Sequence, residues 1–179
     1  MSTPVSSFNR LEKLLPELFQ SSQTTGTSYL RGQLNPQLTV LLPIESVQES
    51  LLVNEEQITA VPSMPDYFVG LITSRENVFA LIDLPRLLGL TGTMIQSRRI
   101  YHTVVIRFFD ASITKKELLL GLVFDRIQGI TRMDSAQIEP VSRNIPESIK
   151  AYLCGALIDK EQTLPVLDLP NIINKTMQT

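Results

Sequence analysis

The sequence predicts a mainly β protein built from two copies of a unit of about five short strands. Three observations predict it. Short β-prone segments alternate with turn residues over most of the chain, few stretches could form a long helix, and the same pattern recurs after 80 to 85 residues. The 179 residues suffice for one ordinary domain or two small fused ones, and 43% hydrophobic with 19% charged residues is a globular composition.

The chain opens with a polar start and a short amphipathic run, in which Phe8, Leu11, Leu14, Leu15, Leu18 and Phe19 fall at helical spacing. Pro16 predicts a kink or two short turns there. The small polar stretch Ser21–Ser28 reads as a linker. Residues 1–28 are thus an N-terminal leader and linker, and 29–174 the main domain.

Strand-like runs follow at Thr39–Ile44, Val47–Val53, Phe68–Thr73, Val78–Ile82, Ile100–Phe109, Leu118–Phe124, Arg126–Met133, Leu153–Ile158 and Leu164–Leu167. The polar tetrads Ser74-Arg75-Glu76-Asn77 and Asp159-Lys160-Glu161-Gln162 read as hairpin tips.

The repeat pairs Tyr67-Phe68-Val69-Gly70 with Tyr152-Leu153-Cys154-Gly155, and Ile82-Asp83-Leu84-Pro85 with Leu167-Asp168-Leu169-Pro170, at an offset of 85. Upstream, Val47-Gln48 matches Ile127-Gln128 and Gln57-Ile58 matches Gln137-Ile138 at an offset of 80. Five extra residues therefore fall in the loop-like stretch from Pro140 to Ile149. Each copy holds about five short strands, the size of a small barrel or sheet. In each, the Asp of Asp-Leu-Pro is placed to cap a short helix. Gly70 and Gly155 lie inside strands, where glycine marks a bulge, a bend or a close backbone approach.

A net charge of −2 argues against a general nucleic-acid binder or a polybasic membrane patch. The single cysteine, Cys154, excludes an intrachain disulfide, and no run approaches the roughly 20 apolar residues of a spanning helix. The N-terminus does not read as a signal peptide. A cytoplasmic location is expected, with any membrane association arising through a partner.

Candidate chemistry is sparse. His102 is the one histidine and lies near the start of a β-rich run. Cys154 takes the place of Val69 in the repeat, so an apolar packing role is expected of it. There is no nucleophile elbow, phosphate loop or metal-ligand spacing. Asp83 and Asp168 match each other, and helix capping accounts for both. No catalytic residue, cofactor or metal is expected, and the chain reads as a non-enzyme. A small hydrolase using Cys154 or His102 and a nucleic-acid-binding barrel are the rivals that activity or salt-sensitive oligonucleotide binding would reveal.

The order of motifs resembles CheW-like domains. The stretch from Pro62 to Arg75, followed by Ile82-Asp83-Leu84, is similar to the family's Pro-x-aromatic-hydrophobic-x-Gly strand and its following Ile-Asp-Leu. Val47-Gln48-Glu49, Gly121-Leu122-Val123-Phe124-Asp125, Ile138-Glu139-Pro140 and Tyr152-Leu153-Cys154-Gly155 match as well. The resemblance covers most of Tyr29 to Asn174. It implies two tandem SH3-like five-stranded barrels with short helices. It also implies a scaffold that binds the cytoplasmic tip of a chemoreceptor and the regulatory domain of a CheA-type histidine kinase. Val47, Glu49, Gly70 and Arg75 match family positions tied to those contacts. Arg75 adds the geometry of a guanidinium at a hairpin tip, able to grip a carboxylate. Leu14-Leu15-Pro16-Glu17-Leu18-Phe19 looks like the leader of CheW proteins in cyanobacterial pilus and phototaxis pathways. The family's Asn-x-Arg-Gly is here Thr73-Ser74-Arg75-Glu76, which removes a glycine from the tip and adds a negative charge. The alternative is a duplicated small-barrel module for an unrelated protein partner.

Overall fold

Alternation of apolar and polar residues, broken by turns, yields ten strands and three short α-helices among the described residues. The structure is a computed structural model and describes residues 26–90, 98–110, 117–142 and 144–178. The amphipathic leader Phe8–Phe19 lies outside the described residues. Strands β1 (Thr27–Asn35) and β2 (Leu38–Pro43) precede β3 (Val47–Asn54), β4 (Phe68–Ser74) and β5 (Asn77–Asp83). Helix α1 (Leu84–Leu87) ends this half. Strands β6 (Ile100–Phe109), β7 (Glu117–Phe124) and β8 (Arg126–Met133) follow. Helix α2 (Glu147–Lys150), strands β9 (Leu153–Asp159) and β10 (Gln162–Leu167), and helix α3 (Leu169–Met177) complete the chain.

The strands form two five-stranded sheets, ordered β3-β6-β7-β5-β4 and β8-β1-β2-β10-β9. Each sheet holds the five strands expected, but sheets and sequence copies do not coincide. The first sheet is contiguous in sequence; the second joins β1 and β2 to β8, β9 and β10. Each copy thus gives its first two strands to one sheet and its last three to the other.

Both sheets close into small barrels by the same device. After β3 and after β8 a single 3-10 turn (Glu55–Gln57, Ser135–Gln137) redirects the chain toward the far edge of its own sheet. There Thr59 and Leu71 exchange two backbone hydrogen bonds of 2.8 and 2.9 Å, and Glu139 and Ala156 exchange two of 2.9 Å. The closing segment passes directly over Gly70 and Gly155. A Cβ on Gly70 would lie 2.4 Å from Ile58 Cγ2 and 2.7 Å from the Thr59 carbonyl oxygen. On Gly155 it would lie 2.3 Å from Ile138 Cγ2 and 2.8 Å from the Glu139 oxygen. The two in-strand glycines mark a close backbone approach.

The repeat also maps core onto core. Val53, Ile72, Phe79, Leu81 and Tyr101 fill the contiguous barrel with Val105 and Val123. Tyr29, Leu41, Leu157, Leu164 and Val166 fill the split one. A third and larger core lies between the barrels, from Leu30, Leu34, Val40 and Leu42 on one side to Val104, Ile106, Leu122 and Phe124 on the other. Gly32 on β1 makes room for the Phe124 ring; a Cβ there would come within 2.4 Å of it. Leu84, Leu87 and Leu88 of the first copy and Leu169 and Ile172 of the second lie buried in this layer.

Asp83 and Asp168 cap the helices as expected, accepting from the backbone N–H of Arg86 at 3.1 Å and of Asn171 at 3.2 Å. Their own amides donate to the Tyr67 and Tyr152 carbonyls at 2.7 and 2.8 Å. Asp83 is almost fully buried, and burial pushes its carboxyl above the ordinary aspartate range, against the opposing pull of the Arg86 amide and guanidinium. A carboxyl raised in the folded state contributes stability that is fully present below its unfolded pKa, about 3.9, and is lost as pH rises through the folded value. Asp83→Asn keeps a capping oxygen without the charge. Across that interval the urea stability of the wild type is expected to fall relative to Asp83→Asn. A constant difference between the two would show that desolvation does not dominate at Asp83.

Candidate protein-docking site

The four sequence-predicted residues all belong to the contiguous barrel. Val47 pairs with Ile106 and Glu49 with Val105, so Gln48 is the extra residue of a bulge at the start of β3. The bulge turns Val47 toward the inter-barrel core, against which it packs half-buried. Glu49 is half-buried at the end of the barrel. Gly70 is buried under the closing segment and presents no surface.

Arg75 sits at the β4–β5 tip. Arg75 and Glu76 have φ of 47° and 72°, and Lys160 and Glu161 in the second copy have 45° and 73°. Positive φ at both central residues is the type I′ pattern, which suits the strand twist and favours Asn-Gly. The tip takes this left-handed conformation without glycine, at a cost of about 1 kcal/mol or more for each residue.

From this tip Arg75 reaches across the seam, with Nη2 3.3 Å from Glu49 Oε2. The Glu49 side chain is 18% exposed and that of Arg75 is 79% exposed. The carboxylate thus anchors one edge of a guanidinium whose other donors face solvent. Below the pair, a cleft of about 100 Å³ opens between β3 and β4, lined by Leu51, Leu52, Val53, Gln57, Ile72 and Ser74 among others. Leu52 stands 65% exposed beside it.

The split barrel carries a strap of opposite polarity, which sequence reasoning missed. Arg31 on β1 donates to Asp159 Oδ2 at 3.0 Å and to Gln162 Oε1 at 3.1 Å, gripping both ends of the β9–β10 turn. The position matching Glu49 is Gly129, with no atom within 4 Å of a Cβ built there. A carboxylate and a cation therefore meet at each barrel, but only the contiguous barrel leaves its cation largely open. The one sequence signal for this difference was Glu49 opposite Gly129 in the repeat. A further pair, Arg98 with Asp125, joins the entry of β6 to the β7–β8 turn, and Arg98 also donates to the Phe124 carbonyl at 3.1 Å.

Cys154 departs from expectation: it is exposed, with Sγ 3.6 Å from the Val166 carbonyl oxygen. What desolvation it does experience raises its pKa, which disfavours the thiolate. His102 is half-buried on β6, opposite Leu52 and Phe124. Among the described residues, no group of three or more His, Cys, Asp or Glu could hold a metal ion. No helix among them is long and apolar enough to cross a membrane.

Two barrels sharing one core, with an exposed guanidinium beside a cleft lined by both polar and apolar side chains, define a double-barrel module. The family model for the CheW-like domain matches residues 28–177, and the chain belongs to that family. Among solved structures of similar fold is scaffolding protein TtCheW from Thermoanaerobacter tengcongensis. It is 18% identical with a TM-score of 0.64, over 79% of this chain and 88% of that one. No curated protein matches the chain in sequence.

Proposed function

We propose that this protein is a non-catalytic cytoplasmic adaptor that couples the cytoplasmic tip of a chemoreceptor to the regulatory domain of a CheA-type histidine kinase. Membership of the CheW-like family supports the general role. The observation that carries the site is the Glu49–Arg75 pair, which holds an exposed guanidinium on a tight hairpin next to Leu52 and the β3–β4 cleft. A partner helix would lay its apolar face against Leu52 and bring a carboxylate to Arg75. Val47 and Gly70 act from beneath: Val47 fixes the bulge that aims Glu49, and Gly70 keeps β4 under the closing segment. Membrane contact comes only through the receptor. Resemblance of the leader supports an output in type IV pilus motility or phototaxis.

The test is calorimetric titration against the kinase regulatory domain and the receptor tip from the same genome. Arg75→Glu sets two carboxylates side by side and is expected to weaken binding of at least one partner tenfold or more, with unchanged circular dichroism. Undiminished binding of both would move the site to another face. Failure of the wild type to bind either would assign the module to an unrelated protein partner.

A further inference from the structure

We propose that two copies of this chain exchange halves, forming a dimer in which each double-barrel unit takes β1–β5 from one chain and β6–β10 from the other. The inference rests on strand topology. Residues 26–90 hold β1–β5 and α1, residues 98–178 hold β6–β10, α2 and α3, and residues 91–97 join them.

Neither half contains a sheet of its own. Within the first half, β1 pairs with β2 and β4 with β5. Within the second, β6 pairs with β7 and β9 with β10. Every pairing that joins these hairpins into sheets crosses between halves: β3 with β6, β5 with β7, β1 with β8 and β2 with β10. The inter-barrel core crosses too, where Gly32 of the first half receives Phe124 of the second. Isolated two-stranded hairpins are marginal in water, so each half depends on a complement.

A second copy supplies that complement with identical contacts. All the pairings above are satisfied equally in the monomer and in the exchanged dimer, and the difference lies in the joining segment and in concentration. A short tether gives the covalently attached half an effective concentration of order millimolar. The monomer therefore dominates in dilute solution, and the exchanged form accumulates when chains fold together at high concentration. Each unit of the dimer carries a complete Glu49–Arg75 pair. If that pair is the docking site proposed above, the dimer is a bivalent adaptor; the exchange itself does not depend on that reading.

The test uses the full chain with Cys154→Ser and two surface positions opposite each other on β1 and β8. Ser28 pairs with Arg132, and the Arg132 Nε–H donates to Ser28 Oγ at 3.3 Å. One pool carries Ser28→Cys and the other Arg132→Cys. A chain with both substitutions, forming its disulfide internally, establishes that the geometry permits the bond. If it does not close, Gln33 and Arg126, also paired on these strands, replace them. The pools are unfolded, mixed, refolded at high concentration and oxidised. At least tenfold more disulfide-linked dimer is expected than when the pools are folded separately before mixing. Light scattering is expected to give twice the 20.1 kDa chain mass. Equal yields from both procedures would mean collision of finished surfaces, and monomers alone at every concentration would mean no exchange; either overturns the proposal.

Discussion

Gly70→Ala and Gly155→Ala are each expected to destabilise the protein by about 3 kcal/mol, through overpacking of the seam and loss of closing hydrogen bonds. The added methyl meets a backbone carbonyl as well as an isoleucine methyl, so side-chain rotation alone cannot make room. Relief requires the closing segment to lift, and lifting breaks the paired bonds between Thr59 and Leu71 or between Glu139 and Ala156. The glycines also hold φ of 155° and 153°, a conformation L side chains rarely adopt. With a urea slope of about 1–3 kcal/mol per M, the midpoint is expected to fall by at least about 1 M at unchanged slope. The equivalence of the two seams makes the two losses similar. A fall below about 0.3 M in either variant would show that its seam relaxes around the methyl.

Phe124→Ala carries the other large effect. The ring is fully buried in the layer between the barrels, and emptying it costs about 3–5 kcal/mol. The distribution of that loss matters as much as its size. Phe124 belongs to β7 of the contiguous barrel and touches Gly32 of the split one, while α1 packs into the same layer. Amide exchange measured on β1–β2 and on β4–β5 is therefore expected to show equal losses of protection free energy. Losses confined to β4–β7 would mean that the barrels open independently.

The repeat was the most informative feature of the sequence. Its offset of 85 carries Ile72 to Leu157, Phe79 to Leu164 and Leu81 to Val166, each pair buried in equivalent places of the two barrels. Nine of the ten described strands, the two capping aspartates and the closely approached glycines were legible because each depends on residues within one copy; β1 was not, and Thr27 and Ser28, read as linker, are its first two residues. The exchange of strands was not legible either. It leaves every local alternation and turn unchanged and shows only in which distant strands become neighbours. Tyr29 and Tyr101 occupy the two barrel cores at yet another offset, 72, among strands with little other similarity. The site was legible in part. Glu49 and Arg75 were both singled out, but their contact spans 26 residues and depends on a seam that no periodicity announces. Cys154 was misjudged because its counterpart Val69 is itself only half-buried, so an apolar residue there did not mark a core position.

The same topology sets a timetable for synthesis. The contiguous barrel has all five strands once Phe124 has left the ribosome. The split barrel does not: β1 and β2 emerge first, yet their neighbours β8 and β10 are among the last strands made. Val40, Leu41 and Leu42, all fully buried in the finished protein, must wait through most of translation without their β10 neighbours. An N-terminal hairpin waiting on C-terminal strands is the part of this chain that a nascent-chain chaperone would shield, and the part that premature termination would leave exposed.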